Sequence, residues 1–275
     1  MRLSIAFALF CSACSAGSGN TDTWVKPPSE TETCEAWAEI RHGSAVYFNN
    51  VWNVQAAGDF AWKQCIERDP ADPERLGFSW HWPDYGSDIY SQPQVKIGVS
   101  PWLPLPKLDD RFPVAIADLD TMTVATGVAV EARGEYNIVT TLWLTDTGEI
   151  GDEPQPGSIV AEAMFWTDAT DGLIDPAGSK VGTVRHGGRD WDIWLNRDWH
   201  DVSGENANRW IYLAFVASPG GPAASFDPVA LLRSKELSQL GFERAYIADV
   251  ELGAEIMRGD GLMWIDRFDV EIQRR

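Results

Sequence analysis

Between residues 46 and 272 the chain alternates apolar with polar or small residues in short runs, each closed by a cluster of Gly, Pro, Asn, Asp or Ser. A period of two is what a β-strand with one buried face requires. The alternating or β-branched runs are residues 46–52, 77–82, 123–131, 136–144, 159–166, 181–184, 191–195, 210–216, 245–252 and 262–272. Turn clusters at 168–172, 186–190, 218–221 and 259–261 separate several of them. Many short strands with regular turns point to a β-sandwich or barrel. In 77–82 the pattern places Phe78, Trp80 and Trp82 on one face and Ser79 and His81 on the other. A single helix is predicted over 229–240, with Asp227 as N-cap, Pro228 in the first position and Gly241 as the stop. Its apolar residues are Leu231, Leu232, Leu237 and Leu240, so it reads as a packing helix on one side of the sandwich.

Charge narrows the partners. With 22 Lys+Arg against 41 Asp+Glu, the 275-residue chain carries a formal net charge of −19. Nucleic acid and anionic membrane surfaces would repel it, and an uncharged partner would not. The 14 Trp suggest flat aromatic platforms beside those packed in the core.

The N-terminus reads as an export signal. Arg2 is followed by an apolar run over 3–10 and then by small residues ending at Cys14. Ser12-Ala13-Cys14 resembles the end of a bacterial lipoprotein signal, which makes Cys14 the candidate for lipidation; ordinary secretion with cleavage nearby is the alternative. The expected organisation is a signal over 1–14, a flexible tether over 15–33 and one domain over 34–275. The product is expected outside the cytoplasm, either secreted or held at the cell surface by a lipid. Cys34 and Cys65 remain for the domain, and in an exported protein they most simply form one disulfide. A metal site is the other use for them. The four His, at 42, 81, 186 and 200, are scattered without ligand spacing, so no metal is expected.

No GxSxG, GxxxxGK[ST] or HExxH motif is present, so candidate chemistry falls to carboxylates. Alternation over 159–166 places Glu162, Met164 and Trp166 on one face, opposite the wholly apolar face of Ile159, Ala161, Ala163 and Phe165. Glu255 stands among apolar residues between Gly253 and Gly259. A solvated strand Glu and a surface-turn Glu are the plain alternatives. Two such carboxyls beside Trp suit glycoside hydrolysis, which pairs an acid with a nucleophile or base.

These residues, taken in order, resemble glycoside hydrolase family 12, the small endo-β-1,4-glucanases and xyloglucanases. The resemblance spans 34–272. Asn49-Asn50-Val51-Trp52 matches an NNxW motif, Gln64-Cys65 a QC pair, and Ser79 to Trp82 an SWxW strand. Glu162 to Trp166, EAMFW, matches E-x-M-I-W, and Gly253 to Gly259, GAEIMRG, matches G-T-E-P-F-T-G. The resemblance implies a β-jelly roll of two antiparallel sheets with a substrate cleft, a Cys34–Cys65 disulfide, Glu162 as nucleophile and Glu255 as general acid/base. It further implies Asn50 and Trp52 as binders of glucose units, with Met164 and Trp166 beside the reacting sugar. An Asp that supports the nucleophile in the family is Thr141 here, whose hydroxyl can still donate to Glu162. Asp249 and Glu251 share strand parity with the acid/base and are expected to add to its field in the absence of a bulge. The implied enzyme is a retaining endoglycosidase of neutral β-glucan, monomeric and without cofactor. A non-catalytic glucan-binding jelly roll, a jelly-roll xylanase and a surface protein with only protein partners are the competing readings.

Overall fold

The computed structural model describes residues 26–103, 107, 109–151, 153–201 and 207–275. The predicted signal, Cys14 and the first part of the tether lie outside them. The strands are β1 (Glu30–Thr33), β2 (Glu39–His42), β3 (Ala45–Phe48), β4 (Lys63–Asp69), β5 (Asp72–Trp82), β6 (Gln94–Gly98), β7 (Val114–Ala115) and β8 (Leu119–Thr145). They continue with β9 (Ile159–Ala169), β10 (Ser179–His186), β11 (Arg189–His200), β12 (Arg209–Ser218), β13 (Ala223–Phe226), β14 (Tyr246–Gly253) and β15 (Ile256–Arg274). One layer has the order β1-β4-β5-β15-β8-β13. The other has the order β2-β3-β6-β14-β8-β9-β12-β11-β10. Every pairing in both layers is antiparallel except β9 with β12. This is the jelly-roll sandwich.

The two layers share β8. Its first part, through Tyr136, pairs with β15, and its second part, from Asn137, pairs with β9 and β14. Sequence patterning reads these parts as two strands, 123–131 and 136–144; they are one strand that bends. Gly134 (φ +107) and Gly259 (φ +91) face each other across the β8–β15 pair at the bend. A Cβ on Gly134 would stand 2.1 Å from the Arg258 carbonyl oxygen, and one on Gly259 2.1 Å from that of Arg133. Only glycine fits both the backbone angle and this approach.

Alternation decides what fills the sandwich. Ala161, Ala163 and Phe165 of β9 meet Ile193, Leu213 and Phe215 from β11 and β12 in one buried cluster. Phe78, Trp80 and Trp82 of β5 lie in a second cluster, at 0%, 2% and 1% exposure, so these aromatic residues are core. Packing at this density supplies most of the fold's stability.

Three local expectations are corrected. The tether does not extend to residue 33: β1 pairs with β4, and Lys26, Ser29 and Thr31 all donate to the buried Glu67 carboxylate. The strand predicted over 46–52 ends at Phe48, because the Asn49 amide donates to the Gln64 and Glu35 carbonyls and turns the chain out of the sheet. The predicted helix is α1 (Pro228–Leu232), capped by Asp227, followed by a separate 3-10 segment, Lys235–Leu240, that ends at Gly241. Arg233 lies at the break and donates to the Ile116 and Leu119 carbonyls at 2.7 and 2.9 Å. Those tertiary bonds, with Ser234 in an extended conformation, stop the helix that propensity would continue. Val229, Leu231, Leu232 and Leu237 still pack into the inter-sheet core.

Candidate active site

A cleft of about 700 Å³ runs over the open face of the nine-stranded layer. Its lining contains Asn50, Trp52, Glu162, Met164, Trp166, Glu251 and Glu255. The two carboxyls singled out in the sequence therefore face one cavity, although they come from β9 and from the turn after β14.

Glu162 is 9% exposed. The Trp210 indole Nε1 of β12 donates to its Oε2 at 3.1 Å. Trp210 belongs to a triangle with Trp102 and Trp143, whose ring centroids are 5.2 to 5.7 Å apart and near perpendicular. Such edge-to-face packing fixes ring orientation, so the indole N–H is aimed before any ligand arrives. Thr141 lies on the same sheet face, but it is in register with Met164, and its hydroxyl accepts from Gln92 Nε2 at 3.1 Å. The residue directly across from Glu162 on β8 is Trp143.

Glu255 is half-buried and held at two points by one residue. Asn137 Nδ2 donates to Glu255 Oε2 at 2.5 Å, and Asn137 Oδ1 accepts from the Glu255 backbone N–H at 2.8 Å. Asn137, Val139, Thr141 and Trp143 share one face of β8, so alternation counted from Thr141 would have pointed to both Asn137 and Trp143. Trp210 and Tyr212 are reachable in the same way on β12. Register then places Tyr212 beside Glu162 on β9.

Both carboxyls hold their protons above the ordinary range. Burial pushes Glu162 up to about 8, opposed by the Trp210 hydrogen bond and reinforced by the charges of Glu255 and Glu251. Burial pushes Glu255 up to about 7, opposed by Asn137. The charges of Asp249 and Glu251, expected from strand parity to act on Glu255, are not what raises it; removal from water is. Two interacting acids lose their protons in two steps that belong to the pair, so one proton is shared between the steps.

The aromatic walls divide by exposure. Met164 and Trp166 are only 1% and 5% exposed and form the floor with Val139 and Tyr212. Trp rings that keep accessible surface in the cleft are Trp37, Trp52, Trp102, Trp143 and Trp199. Trp37, 44% exposed, sits in the left-handed region at φ +66 and is held by its N–H to the Asn49 carbonyl at 3.0 Å. The loop carrying Asn50 and Trp52 is set by a buried polar network. Gln64 Nε2 donates to Asn49 Oδ1 at 2.9 Å and to the Asn50 carbonyl at 3.0 Å, and Trp82 Nε1 donates to Gln64 Oε1 at 3.1 Å. The Cys34–Cys65 disulfide is formed beside it. Among the described residues, no three His, Cys, Asp or Glu are grouped to hold a metal ion.

The glycosyl hydrolase family 12 model matches residues 45–273. Endoglucanase S of Pectobacterium parmentieri is 26% identical over 233 residues, covering 82% of this chain and 81% of its own. Xyloglucan-specific endo-β-1,4-glucanase A of Emericella nidulans is 22% identical over 246 residues, covering 87% and 90%. Among solved structures, the family 12 xyloglucanase from Bacillus licheniformis superposes with a TM-score of 0.75 at 23% identity, over 88% of this chain and 99% of that one. Endoglucanase cel12A from Rhodothermus marinus gives 0.68 at 24% identity over the same shares. These two structures share the fold; the match of the family model over most of the chain carries the assignment, and the chain belongs to glycosyl hydrolase family 12, a family of glycoside hydrolases.

Proposed function

We propose that this protein is a retaining endo-β-1,4-glucanase of neutral β-glucan, with Glu162 as nucleophile and Glu255 as general acid/base. The observation that carries the reading is the convergence of two separately clamped carboxyls, one buried and one half-buried, on one aromatic cleft. In the first step Glu162, ionised, attacks the anomeric carbon, and the bond to the leaving oxygen breaks as Glu255 gives that oxygen its proton. In the second step Glu255 takes a proton from water, whose oxygen displaces Glu162 and frees the sugar. The reactive form is the singly protonated pair with its proton on Glu255; burial favours that proton on Glu162, and the Trp210 hydrogen bond, which supports an ionised Glu162, opposes this.

The cleft crosses the sheet from the loop after β3 to β11. That is six strand spacings of ~4.8 Å, roughly 29 Å, which suits a polymer entering sideways rather than a terminal sugar. Asn50 and Trp52 would bind glucose units at one end, and Met164 and Trp166 form the floor near the reacting sugar. Relatives named as an endoglucanase and a xyloglucan-specific endo-β-1,4-glucanase support a β-1,4-glucan as substrate. An acidic chain repels no neutral polymer, and export to the medium or to a lipid-anchored surface position brings the enzyme to it. We take it to act as a monomer.

The test is release of reducing ends from barley β-glucan and xyloglucan, with the first-formed anomer followed by proton NMR. Glu162→Gln and Glu255→Gln should each lower turnover by about three orders of magnitude or more while the melting transition persists. Full activity in either variant would sink the assignment. Binding without turnover in the wild type would favour a glucan-binding module.

A further inference from the structure

A second group of charges lies in the cleft floor and takes no part in the double displacement. Lys96, Asp249 and Glu251 are 3%, 0% and 3% exposed. Glu251 of β14 is in register with Lys96 of β6 on one side and with Thr141 of β8 on the other. Lys96 Nζ donates to Glu251 Oε1 at 3.4 Å and stands 4.5 Å above the Phe48 ring. Trp143 and Gln94 add side-chain hydrogen bonds to Glu251.

Asp249 differs from its neighbour. Among the described residues neither of its carboxyl oxygens makes a close hydrogen bond; the Trp143 backbone N–H and the Glu251 carboxyl approach it more loosely, so a charge there would be poorly compensated. Burial and the adjacent Glu251 charge hold it neutral against the pull of Lys96. The bulge between Ile247 and Asp249 precedes both acids, so their parity with Glu255 is unbroken. Burial raises Glu251 too, but Lys96 and the hydrogen bonds it accepts favour its ionised form, so of the two acids Glu251 is the one that carries the negative charge of the floor. Stability does not account for the pair, because an apolar pair of similar volume serves a buried site at least as well. Its position does: Glu251 lines the same cavity as Glu162 and Glu255.

We propose that Glu251, pinned by Lys96, is a positioning residue for the catalytic carboxyls: a fixed negative charge in the floor that retains the shared proton on the Glu162–Glu255 pair. The inference rests on the roles proposed for those two residues. Among the described residues, the titratable groups that line or back this cleft are Glu162 of β9, Tyr212 of β12, Asp249 of β14, Lys96 of β6, Glu255, His200 of β11, Glu39 of β2 beside Lys96, and Asp88, Asp175 and Asp201 on loops. β8 contributes Asn137, Val139, Thr141 and Trp143 to this face, none of which titrates. Of the neighbouring charges, those of Glu255 and Glu251 raise Glu162.

The test is a carbon-13 carboxyl NMR titration, which needs no turnover, run with the pH profile of kcat/KM. In Glu251→Gln the upper titration step of the pair should move down by about 0.5–1 pH unit, since an adjacent like charge has been removed. The alkaline limb of kcat/KM should move with it. Glu251→Asp should restore most of the shift. Asp269→Asn, which removes an exposed carboxylate paired with Arg267 in the other layer, should leave the profile in place. If Glu251→Gln does not fold, Lys96→Gln/Glu251→Gln carries the test, because it leaves no unpaired buried charge; its downward shift should be smaller, since the Lys96 charge is lost with that of Glu251, and Lys96→Gln/Glu251→Asp, which keeps the anion, should move the step up instead. An upper step that stays put in these variants, or moves equally in Asp269→Asn, overturns the proposal. A pair that titrates as described in an enzyme inactive on every β-glucan would instead overturn the assigned reaction.

Discussion

Glu162 illustrates what a single residue position reveals. Strand alternation places it opposite a wholly apolar face, and the structure agrees: Ala161, Ala163 and Phe165 are core while Glu162 faces the cleft. Alternation could not say whether that face was wet, because the Trp143 and Trp210 rings that dry it come from other strands. The motif residues divide in a similar way. Asn49, Gln64 and Trp82, which carry much of the family resemblance, are buried and bond to one another. Gln64→Ala should therefore strand the Trp82 N–H, the Asn49 side-chain oxygen and the Asn50 carbonyl, costing about 1–3 kcal/mol for each unpaired group. Urea unfolding would show it as a lower midpoint at an unchanged slope, and an unchanged midpoint would refute the network's importance.

At the scale of elements, period-two patterning located most long strands but left out β1, β2, β4, β6, β7 and β13. These are short or carry charges that break the alternation, as Lys63, Glu67 and Arg68 do in β4. Patterning also divided β8 in two, because a bend in a strand leaves the period intact on either side. The bend depends on Gly134 and Gly259 meeting face to face. Gly134→Ala forces a positive φ on a residue with a Cβ and drives that Cβ into the Arg258 carbonyl. The backbone strain alone should cost about 1–3 kcal/mol, read as a fall in melting temperature. An unperturbed melt would mean that the two layers do not depend on this bend.

For the whole molecule, the cleft acids tie stability to pH. Glu162 and Glu255 are raised to about 8 and about 7, and Asp249 and Glu251 are raised as well. A carboxyl raised in the folded state binds more protons there than in the unfolded chain at every pH between its two pKa values. Stability from these groups is complete below about 4.5 and is lost as pH rises toward 8. The formal charge of −19 acts in the same direction, since self-repulsion grows as acids ionise. In the opposite sense, burial raises Glu67, but the hydrogen bonds from Lys26, Ser79 and Ser29 outweigh it; its net pKa is lowered and its contribution is lost in acid. Calorimetry should find the highest melting temperature near pH 5 and a steady fall to pH 8. A melting temperature that rises over that interval would contradict the burial of these carboxyls.

The sequence by itself determined the faces. A β-strand turns every second side chain to the same side whatever its neighbours are, so Glu162, Met164 and Trp166 could be separated from the core without a structure. It also determined the order of motifs and, with it, the resemblance to a hydrolase family. Only the tertiary structure decided adjacency: that Trp210 meets Glu162, that Asn137 clamps Glu255, and that Lys96 meets Glu251. Register between strands distant in sequence is set by the packing of the whole sandwich, and no local pattern encodes it.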